Sequence, residues 1–388
     1  MAQSKNDTIE VMIVAAEASS CLYAQRLLEY WQKQDRNIRA FGVGSREMER
    51  LGFEAIGRSE EMAVVGLTEV LKHFGDIRQV FWRLIEAAKK RQPKFVLLLD
   101  YPGFNLRLAK KLKSCGFRIV YYISPQVWAW RTSRVEQIKK CVDQMLVILP
   151  FEKPFFKEHG MDVEFVGHPL LDEISPDLLD SEERKRWRNK YGISDTEKVV
   201  GLMPGSRPSE LQHHLATQLK TAELLHRDDP ALKFALLLAP TVSVEDMKAF
   251  MPAIGIPLIF MKDEPLRMVR LTDVVLCASG TATLVVGLMK RPMVVMYKMN
   301  RVTAWVARRF VKGTAFFGLI NLILGKAAVP ELFQEQANPE RLKSELTTLL
   351  YDEIHYRQVS QELGRTKELL GDKGATARVA HILDQYLA

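Results

Sequence analysis

Short apolar runs alternate with amphipathic segments along the chain, and the runs have the length and composition of buried strands. Runs without polar interruption are typical of strands that are buried on both faces of a parallel sheet. Helical patterns follow these runs, which favours a doubly wound α/β domain in the first half. The predicted strands of this half are residues 10–16, 38–43, 95–99, 118–123 and 146–149.

The same alternation restarts after a polar segment, residues 175–191, which we interpret as a linker. The sequence therefore predicts two Rossmann-like doubly wound α/β domains that face a cleft, residues 1–172 and 173–338. Residues 339–388 are predicted to be helices that pack on these domains. The predicted strands of the second domain are residues 199–203, 234–238, 258–261, 274–278 and 292–297.

Asp100 follows the uninterrupted apolar run of residues 95–99. Open α/β sheets hold their ligands at the carboxyl ends of their strands, so this carboxylate is a candidate catalytic group. The next predicted strand leads into Ser-Pro-Gln and two tryptophans, which brings polar groups and aromatic walls to the same edge. The alternative interpretation of Asp100 is a helix cap on a buried sheet.

The composition is that of a folded protein with a basic surface. The chain has 388 residues, 47% hydrophobic and 26% charged, which argues against disorder, and a formal net charge of +8. This charge favours an anionic partner, whether nucleic acid, nucleotide, phosphorylated lipid or membrane surface. Nucleic acid rests on charge alone, because no aromatic and basic recognition motif accompanies it.

The four cysteines are scattered, without the paired spacing of a zinc site, and they favour a reduced, cytoplasmic setting. We recognise no signal peptide and no spanning segment, so any membrane contact is expected to be peripheral.

Two small-residue turns between a predicted strand and a helix lie in the second domain, residues 203–207 and 279–283. Glycine permits close backbone approach, hydroxyls donate hydrogen bonds, and helix N-termini attract phosphate. Arg207 adds a fork of donors that suits a diphosphate. Each turn alone is typical of a plain helix cap, but together they favour a nucleotide diphosphate. No P-loop or dinucleotide fingerprint occurs, and we expect no metal or other cofactor.

Residues 301–325 combine aromatic and basic side chains, and residues 62–71 form an apolar run. Residues 301–325 are either a basic-faced helix docked on a core or an element that contacts anionic lipid. In the second case, residues 62–71 would be the matching apolar surface in the first domain. The histidines do not cluster as metal ligands. We expect His213 and His214 at the surface and His168 as a hydrogen-bonded turn residue.

Taken together, these stretches resemble the lipid-A-disaccharide synthase family over nearly the whole chain and in the same order. The matching motifs are MAVVGLTEVL at 62–71, YYISPQVWAWR at 121–131, LPFE at 149–152, FVGHPLLD at 165–172, MPGSR at 203–207, SGTATL at 279–284, PMVVMYK at 292–298 and VPEL at 329–332.

The resemblance implies a glycosyltransferase of the GT-B type that is metal-independent, inverting and peripheral to the inner face of the cytoplasmic membrane, with a homo-oligomer left open. It implies the condensation of UDP-2,3-diacylglucosamine with 2,3-diacylglucosamine 1-phosphate to lipid A disaccharide 1-phosphate and UDP. Asp100 would be the base, Glu17 would orient it or the acceptor, and Arg207 would assist catalysis. The implied donor contacts are Gly205, Ser206, Arg207, Glu210, Ser279, Gly280, Thr281, Thr283, Asn321, Glu331 and Gln334. The implied acceptor or lipid contacts are Ser19, Met62, Val65, Asn105, Ser124, Gln126 and Trp128.

Three acidic positions of the family pattern are replaced here. Cys21 stands for the Asp of GEASGD, Gly103 for the second Asp of DxPDFN, and Val285 for the Glu that ends SGTATLE. An alternative is therefore a catalytically impaired relative that binds nucleotide sugar or lipid without turnover. The retention of Glu17, Asp100 and Arg207 favours an active enzyme.

Overall fold

The computed structural model describes residues 8–62, 67–130, 133–300 and 316–387. The chain divides into two compact units, each of which contains one parallel sheet. The first unit consists of Met1–Leu171 and Gly371–Ala388, and the second of Asp172–Leu370. The predicted α/β class with two parallel-sheet domains is confirmed.

The sheet of the first unit has seven parallel strands in the order β3-β2-β1-β4-β5-β6-β7. The order reverses between β1 and β4, and such a switch point opens a crevice at the carboxyl ends of a doubly wound sheet. The strands are β1 Ile9–Ala15, β2 Ile38–Gly44, β3 Glu54–Arg58, β4 Val96–Leu99, β5 Ile119–Tyr122, β6 Gln144–Val147 and β7 Glu164–Phe165.

Helices cover the first sheet, and the longest has a strongly amphipathic sequence that packs an apolar stripe on the core. The α-helices are Ala18–Lys33, Arg46–Arg50, Ser59–Met62, Leu67–Arg91, Pro102–Ser114, Val127–Trp130, Arg134–Cys141, Glu152–Glu158 and Ala375–Asp384, and a 3-10 helix spans Pro169–Glu173.

The second sheet repeats the first six positions of this order as β10-β9-β8-β11-β12-β13, again with all strands parallel. Its strands are β8 Val199–Met203, β9 Lys233–Leu237, β10 Ile259–Met261, β11 Val274–Ala278, β12 Met293–Tyr297 and β13 Glu331–Phe333. Its α-helices are Ser181–Lys190, Pro208–Asp228, Val244–Ala249, Pro265–Leu271, Ala282–Leu288, Leu319–Leu324, Pro339–Tyr351 and Glu353–Leu369, with 3-10 helices at Asp177–Leu179 and Gln334–Gln336.

The central strands are buried on both faces, which explains why their sequences lack polar interruption. Residues 11–15 of β1 and 96–99 of β4 are fully buried, as are residues 274–277 of β11. No helix in the described part of the chain is long and apolar enough to span a membrane.

The structure differs from the sequence-based expectation in three short strands and in the supposed linker. The short strands β3, β7 and β13 were not predicted, because each has only two to five residues and none is a continuous apolar run. The supposed linker, residues 175–191, instead forms a 3-10 turn and the helix Ser181–Lys190 inside the second unit. Residues 339–370 belong to the second unit, and residues 371–388 return to the first.

The close approach of β2 to β1 requires a glycine at position 42. Its φ of +140° is unfavourable for other residues, and a Cβ atom there would lie 2.1 Å from the backbone oxygen of Ile13. We expect Gly42→Ala to lower the free energy of unfolding by at least about 2 kcal/mol in urea titration. Gly75→Ala is the matched control, because Gly75 is exposed in a helix with open space around it. It is expected to gain about 0.5–1 kcal/mol. Equal unfolding midpoints for the two variants would contradict this account.

Candidate functional site

The register of the first sheet brings three candidate residues to one edge. Ala15 pairs with Leu99, and Leu99 pairs with Tyr122, so β1, β4 and β5 end side by side. Glu17, Asp100 and Ser124 each lie one or two residues beyond these ends. The sheet therefore places the predicted base between the predicted orienting carboxylate and the polar segment after β5.

Asp100 and the following Tyr101 both adopt left-handed backbone conformations, with φ of +47° and +48°. Such conformations cost of order 1–3 kcal/mol each and persist only where the surroundings fix them. Here the Asp100 N–H donates to Tyr122 O at 3.1 Å. The Asp100 carbonyl accepts from Asn105 Nδ2 at 2.8 Å and from Tyr121 Oη at 2.6 Å. Hydrogen bonds on both sides of Asp100 thus hold the strained turn.

Glu17 lies at the start of helix Ala18–Lys33 in a half-buried position. Ser20 Oγ accepts the Glu17 N–H at 3.0 Å and donates to the Glu17 carbonyl at 2.8 Å, which closes the first turn. The phenol of Tyr101, the residue after Asp100, has a pKa that is raised first by burial and then by the Glu17 charge. The first-unit edge therefore holds two carboxylates and a phenol near one another.

A second buried group at this edge was not predicted as a site residue. The Glu152 carboxylate accepts N–H groups from Ile148 at 3.2 Å and Leu149 at 2.8 Å, and Ser124 Oγ donates to it. Burial raises the pKa of Glu152 to about 7, against the opposing effect of these hydrogen bonds. Ser124, predicted to contact the acceptor, is itself buried and joins the end of β5 to the loop after β6.

The other predicted acceptor contacts differ in how far their side chains are exposed to solvent. Ser19 and Gln126 are exposed. Trp128 is half-buried, and its ring meets Phe151 edge-on at 4.9 Å. Asn105 and Met62 are corrections to the expectation. The Asn105 amide is fully buried among backbone carbonyls, and Met62 is 2% exposed, so neither side chain presents a surface to a lipid. Val65 lies outside the described residues.

In the second unit, β8 and β11 are neighbours and Met203 pairs with Cys277, so the two predicted phosphate-type turns leave adjacent strands. The first turn has Gly205 at φ +124°, and Ser206 and Arg207 are exposed before helix Pro208–Asp228.

The Glu210 carboxylate already occupies the N–H groups of the first turn. Its Oε2 accepts from Ser206 N at 2.8 Å and from Arg207 N at 3.3 Å. A Cβ atom at Gly205 would lie 2.4 Å from the same oxygen, so glycine is required for this close approach. Glu210 therefore caps the helix at the place where a phosphate was expected.

His214 corrects our expectation of a surface residue. It is fully buried, with Nδ1 2.8 Å from Pro204 O and Nε2 accepting the Lys298 N–H at 3.0 Å. Burial lowers its pKa, which favours the neutral ring that this pairing requires. Gln218, one turn further along the helix, donates to Met203 O at 3.2 Å. The helix thus clamps the end of β8 to the end of β12.

The second turn has only some of its predicted groups facing outward. Gly280 has a φ of +149° and Thr281 is exposed. Ser279 Oγ donates to Phe317 O at 3.1 Å. Thr283 is fully buried and donates to Gly280 O at 2.8 Å, because its hydroxyl closes the first turn of the helix. Thr283 is therefore a structural residue in this conformation and not the surface donor that was predicted.

Asn321 and Glu331 form one internal network. Asn321 Nδ2 donates to Glu331 Oε1 at 2.8 Å, and Glu331 accepts the N–H groups of Phe317 at 2.6 Å and Gly318 at 3.0 Å. Burial raises the pKa of Glu331 against these hydrogen bonds. Gln334 similarly clamps the backbone of Met299. The three predicted donor contacts thus hold backbone groups of Met299, Phe317 and Gly318 in this structure.

The predicted lipid-contacting segment is described only at its end. Residues 301–315 lie outside the described residues, whereas Phe317 is 49% exposed and stacks on Phe333 at 5.1 Å. His168 is a buried turn residue that accepts the Leu170 N–H at 3.1 Å, which confirms its prediction. Among the described residues, no three His, Cys, Asp or Glu side chains gather as metal ligands.

A spacing in the sequence could have predicted that helix Pro208–Asp228 contacts the ends of β8 and β12. Glu210, His214 and Gln218 are four residues apart, and this interval places polar side chains on one helix face. A polar row beginning directly after a glycine turn indicates a helix face directed at strand ends. Glu152 and Tyr121 gave no comparable signal, because neither belongs to a row of polar residues at helical spacing.

The chain was compared with known proteins. The family model described as lipid-A-disaccharide synthetase matches residues 11–383. The lipid-A-disaccharide synthase of Trichlorobacter lovleyi is 40% identical over 373 residues, which is 96% of each chain. That of Geobacter metallireducens is 38% identical over 377 residues, 97% of each chain.

Solved structures support the fold alone. A UDP-GlcNAc 2-epimerase from Neisseria meningitidis, bound to UDP-GlcNAc, superimposes with a TM-score of 0.65 at 12% identity, over 97% of this chain and all of that one. The glycosyltransferase of kitacinnamycin gives a TM-score of 0.64 at 14% identity, over 98% of this chain and 99% of that one.

The buried Glu152 predicts a pH dependence of stability. Its pKa rises from an ordinary 4.5 to about 7, so the folded state binds more protons than the unfolded state between these values. The stability from the protonated carboxyl is complete below pH 4.5 and is lost as pH rises to 7, by about 3 kcal/mol in total. Glu152→Gln should remove this component, as urea unfolding of both proteins from pH 4.5 to 8 would show. Parallel pH profiles for the two would refute it.

Proposed function

This chain belongs to the lipid-A-disaccharide synthase family and is a glycosyltransferase of lipid A biosynthesis, and we propose how its residues carry out the transfer. The proposed donor is UDP-2,3-diacylglucosamine, and the acceptor is 2,3-diacylglucosamine 1-phosphate. The acceptor 6-hydroxyl attacks the anomeric carbon, its proton goes to a base, and UDP departs from the opposite face. The product is the β-1,6-linked disaccharide 1-phosphate.

Asp100 is the proposed base. The observation that carries this assignment is its left-handed backbone at the end of β4, held by Asn105 and Tyr121. Strain that is fixed in this way is concentrated at functional sites, where it aims a side chain that an ordinary turn would direct elsewhere. A general base must reach the proton that it removes, so this positioning matters directly for rate.

Asn105 and Tyr121 are proposed to act through Asp100 as positioning residues. Both are buried and both donate to the Asp100 carbonyl, so they fix the backbone that carries the proposed base. Glu17, at the end of β1, is proposed to orient the acceptor, with exposed Ser19 and Gln126 as its polar surroundings.

The second unit is proposed to bind UDP at the turns 203–207 and 279–283. Arg207 and Ser206 are exposed, and Gly205 and Gly280 allow close backbone approach. Stabilisation of the departing diphosphate by cationic side chains and N–H groups is the expected contribution of this unit. The turn's N–H groups reach the diphosphate only when the Glu210 carboxylate moves away from them.

Contact with the cytoplasmic face of a membrane is proposed because both substrates are acylated. The net charge of +8 favours an anionic surface. Such contact is expected to weaken with salt, because screening shortens the range of the attraction.

Incubation with both acylated sugars, followed by mass analysis of the lipid products, tests the function. Disaccharide 1-phosphate formed together with UDP supports the transferase. Binding of the UDP-sugar without any product would instead support the impaired relative.

Asp100→Asn retains the shape of the side chain and removes the base. We expect kcat to fall on the order of 10²- to 10⁴-fold, with the KM for the UDP-sugar little changed. Initial rates and a urea unfolding curve measure this. Asp162→Asn, at an exposed position of the same unit, is the control and should keep the wild-type rate. A wild-type rate in Asp100→Asn would remove Asp100 as the base.

Glu210→Gln separates a capping role from a substrate contact. If the carboxylate competes with diphosphate for the turn, its neutralisation should tighten UDP binding on the order of threefold to tenfold, since one repulsive charge is lost. Stability should fall by about 0.5–1 kcal/mol because the cap weakens. Calorimetric titration with UDP and urea unfolding measure both effects. Glu223→Gln on the same helix is the control, and weaker UDP binding in Glu210→Gln would favour the contact role.

A further inference from the structure

The amino-terminal edge of the second sheet carries a basic pocket that the proposed transfer does not use. The pocket has a volume of about 380 Å³. Since all six strands are parallel, this edge lies at the opposite end of the strands from the turns 203–207 and 279–283. Its charged lining consists of Arg184, Lys185, Arg270, Arg291, Asp195 and Asp273.

Three of these arginines are gathered around a single backbone oxygen. Arg270 O accepts from Arg184 Nε at 3.0 Å and from a terminal nitrogen of Arg291 at 3.0 Å. The guanidinium groups of Arg184 and Arg291 are thus neighbours, beside the residue that carries a third. Burial lowers the pKa of Arg184 to about 10, and the charge of Arg291 adds to this effect. Burial and Arg291 also lower the pKa of Arg270. The cluster is therefore a site of mutual repulsion.

The acidic side chains in the pocket do not balance this charge. Asp273 accepts from Arg184 at 3.0 Å and from the Val199 N–H at 2.8 Å, and it lies 3.5 Å from the buried Arg188. Its oxygens are therefore committed to structure. Four cations and two carboxylates line the pocket, which leaves a net charge of +2.

Two of the arginines lack a carboxylate partner. In the part of the chain that the structure describes, Arg270 and Arg291 form no ion pair. Arg291 contacts the Tyr356 hydroxyl at 3.3 Å, and its Nε is buried without a hydrogen-bond partner. A buried donor without an acceptor is costly, and an anion would stabilise one that lies among like charges.

Arg188 shows what a purely structural arginine looks like in the same region. It is fully buried, and its guanidinium donates to the carbonyls of Leu271, Ser194 and Glu197. No comparable set of acceptors surrounds Arg270 or Arg291 among the described residues. Arg188 is therefore fully paired within the fold, whereas Arg291 pairs its two terminal nitrogens and leaves its Nε without an acceptor.

We propose that this pocket is a second anion site, which binds a phosphate group between Arg184, Arg270 and Arg291. Guanidinium groups match the oxygens of phosphate with paired hydrogen bonds. A phosphate monoester carries a charge of about −1.5 to −2 at neutral pH, which complements the net charge of the pocket. Free inorganic phosphate and the phosphate of an anionic lipid headgroup share this chemistry.

Calorimetric titration with inorganic phosphate tests the site, in the full-length protein, at constant ionic strength and with saturating UDP. The UDP fills the nucleotide turns, so a remaining saturable event with one phosphate per chain reports the second site. We expect Arg270→Gln and Arg291→Gln each to weaken phosphate binding at least tenfold. Arg270→Lys, which retains the charge, should weaken it less.

Arg357→Gln is the matched control. Arg357 lies on a helix of the same unit, is 79% exposed and pairs with Glu353 at 2.9 Å, so its loss should leave phosphate binding unchanged. Because Arg270→Gln relieves repulsion, its melting temperature without phosphate should equal or exceed that of the wild type. An unfolded Arg270→Gln protein would contradict the proposal as well, since it would make Arg270 a structural residue.

Vesicle sedimentation distinguishes the two sources of phosphate. Binding to vesicles that contain phosphatidic acid, whose headgroup is a phosphate monoester, supports a lipid headgroup if inorganic phosphate competes with it and Arg270→Gln abolishes it. Equal sedimentation of wild type and variant, together with phosphate binding in solution, supports free phosphate. The proposal is overturned if no saturable phosphate binding is seen with UDP present, or if Arg270→Gln and Arg291→Gln bind as the wild type does.

Discussion

The parallel pairing of every strand decides where polar chemistry is found in this protein. All strands of a parallel sheet end at the same edge. The turn that follows each strand therefore lies beside the turns that follow the neighbouring strands. In the first unit the exits of β1, β4 and β5 bring Glu17, Asp100 and Ser124 together. In the second, the exits of β8 and β11 adjoin one another. The strand order therefore determines which turns are neighbours, whatever side chains these turns carry.

The turns that follow the strands have backbone N–H and C=O groups that need hydrogen-bond partners where they face an apolar interior. In this protein, buried polar side chains are those partners. Asn105 and Tyr121 hold Asp100, His214 joins β8 to β12, and the Asn321–Glu331 pair fixes the loop before helix Leu319–Leu324. Each of these residues forms at least one hydrogen bond with a backbone group, which offsets part of the hydration lost on burial. These hydrogen bonds fix the geometry of the turns.

The sequence predicted the parts of the fold that have clear local patterns. Apolar runs predicted ten strands and their parallel arrangement, and glycine-containing segments predicted the two phosphate-type turns. The helix Ser181–Lys190 was mistaken for a linker, because its buried surface comes from the polar residue Arg188. Apolar periodicity cannot detect a helix that is anchored by hydrogen bonds to carbonyl groups.

The same limit applies to the site. Position along the chain placed Asp100 at a strand end and Arg207 at a glycine turn, and the structure has both residues there. It could not separate residues that face outward from residues that face the backbone, because Thr283, Asn321 and Asn105 are equally polar in sequence. That separation depends on rotamers and on tertiary partners that no local pattern encodes.

The three replaced acidic positions acquire a physical meaning from their surroundings. Cys21 is 4% exposed and donates to Ala15 O, and Val285 is 7% exposed, so both side chains are packed inside their units. A carboxylate at either position would require a buried partner, whereas a thiol and an isopropyl group require none. Gly103 lies in open space beside the Asp100 turn. Its lack of a carboxylate leaves Asp100 as the one acid in residues 95–105, so no second carboxylate of this segment lies beside the proposed base.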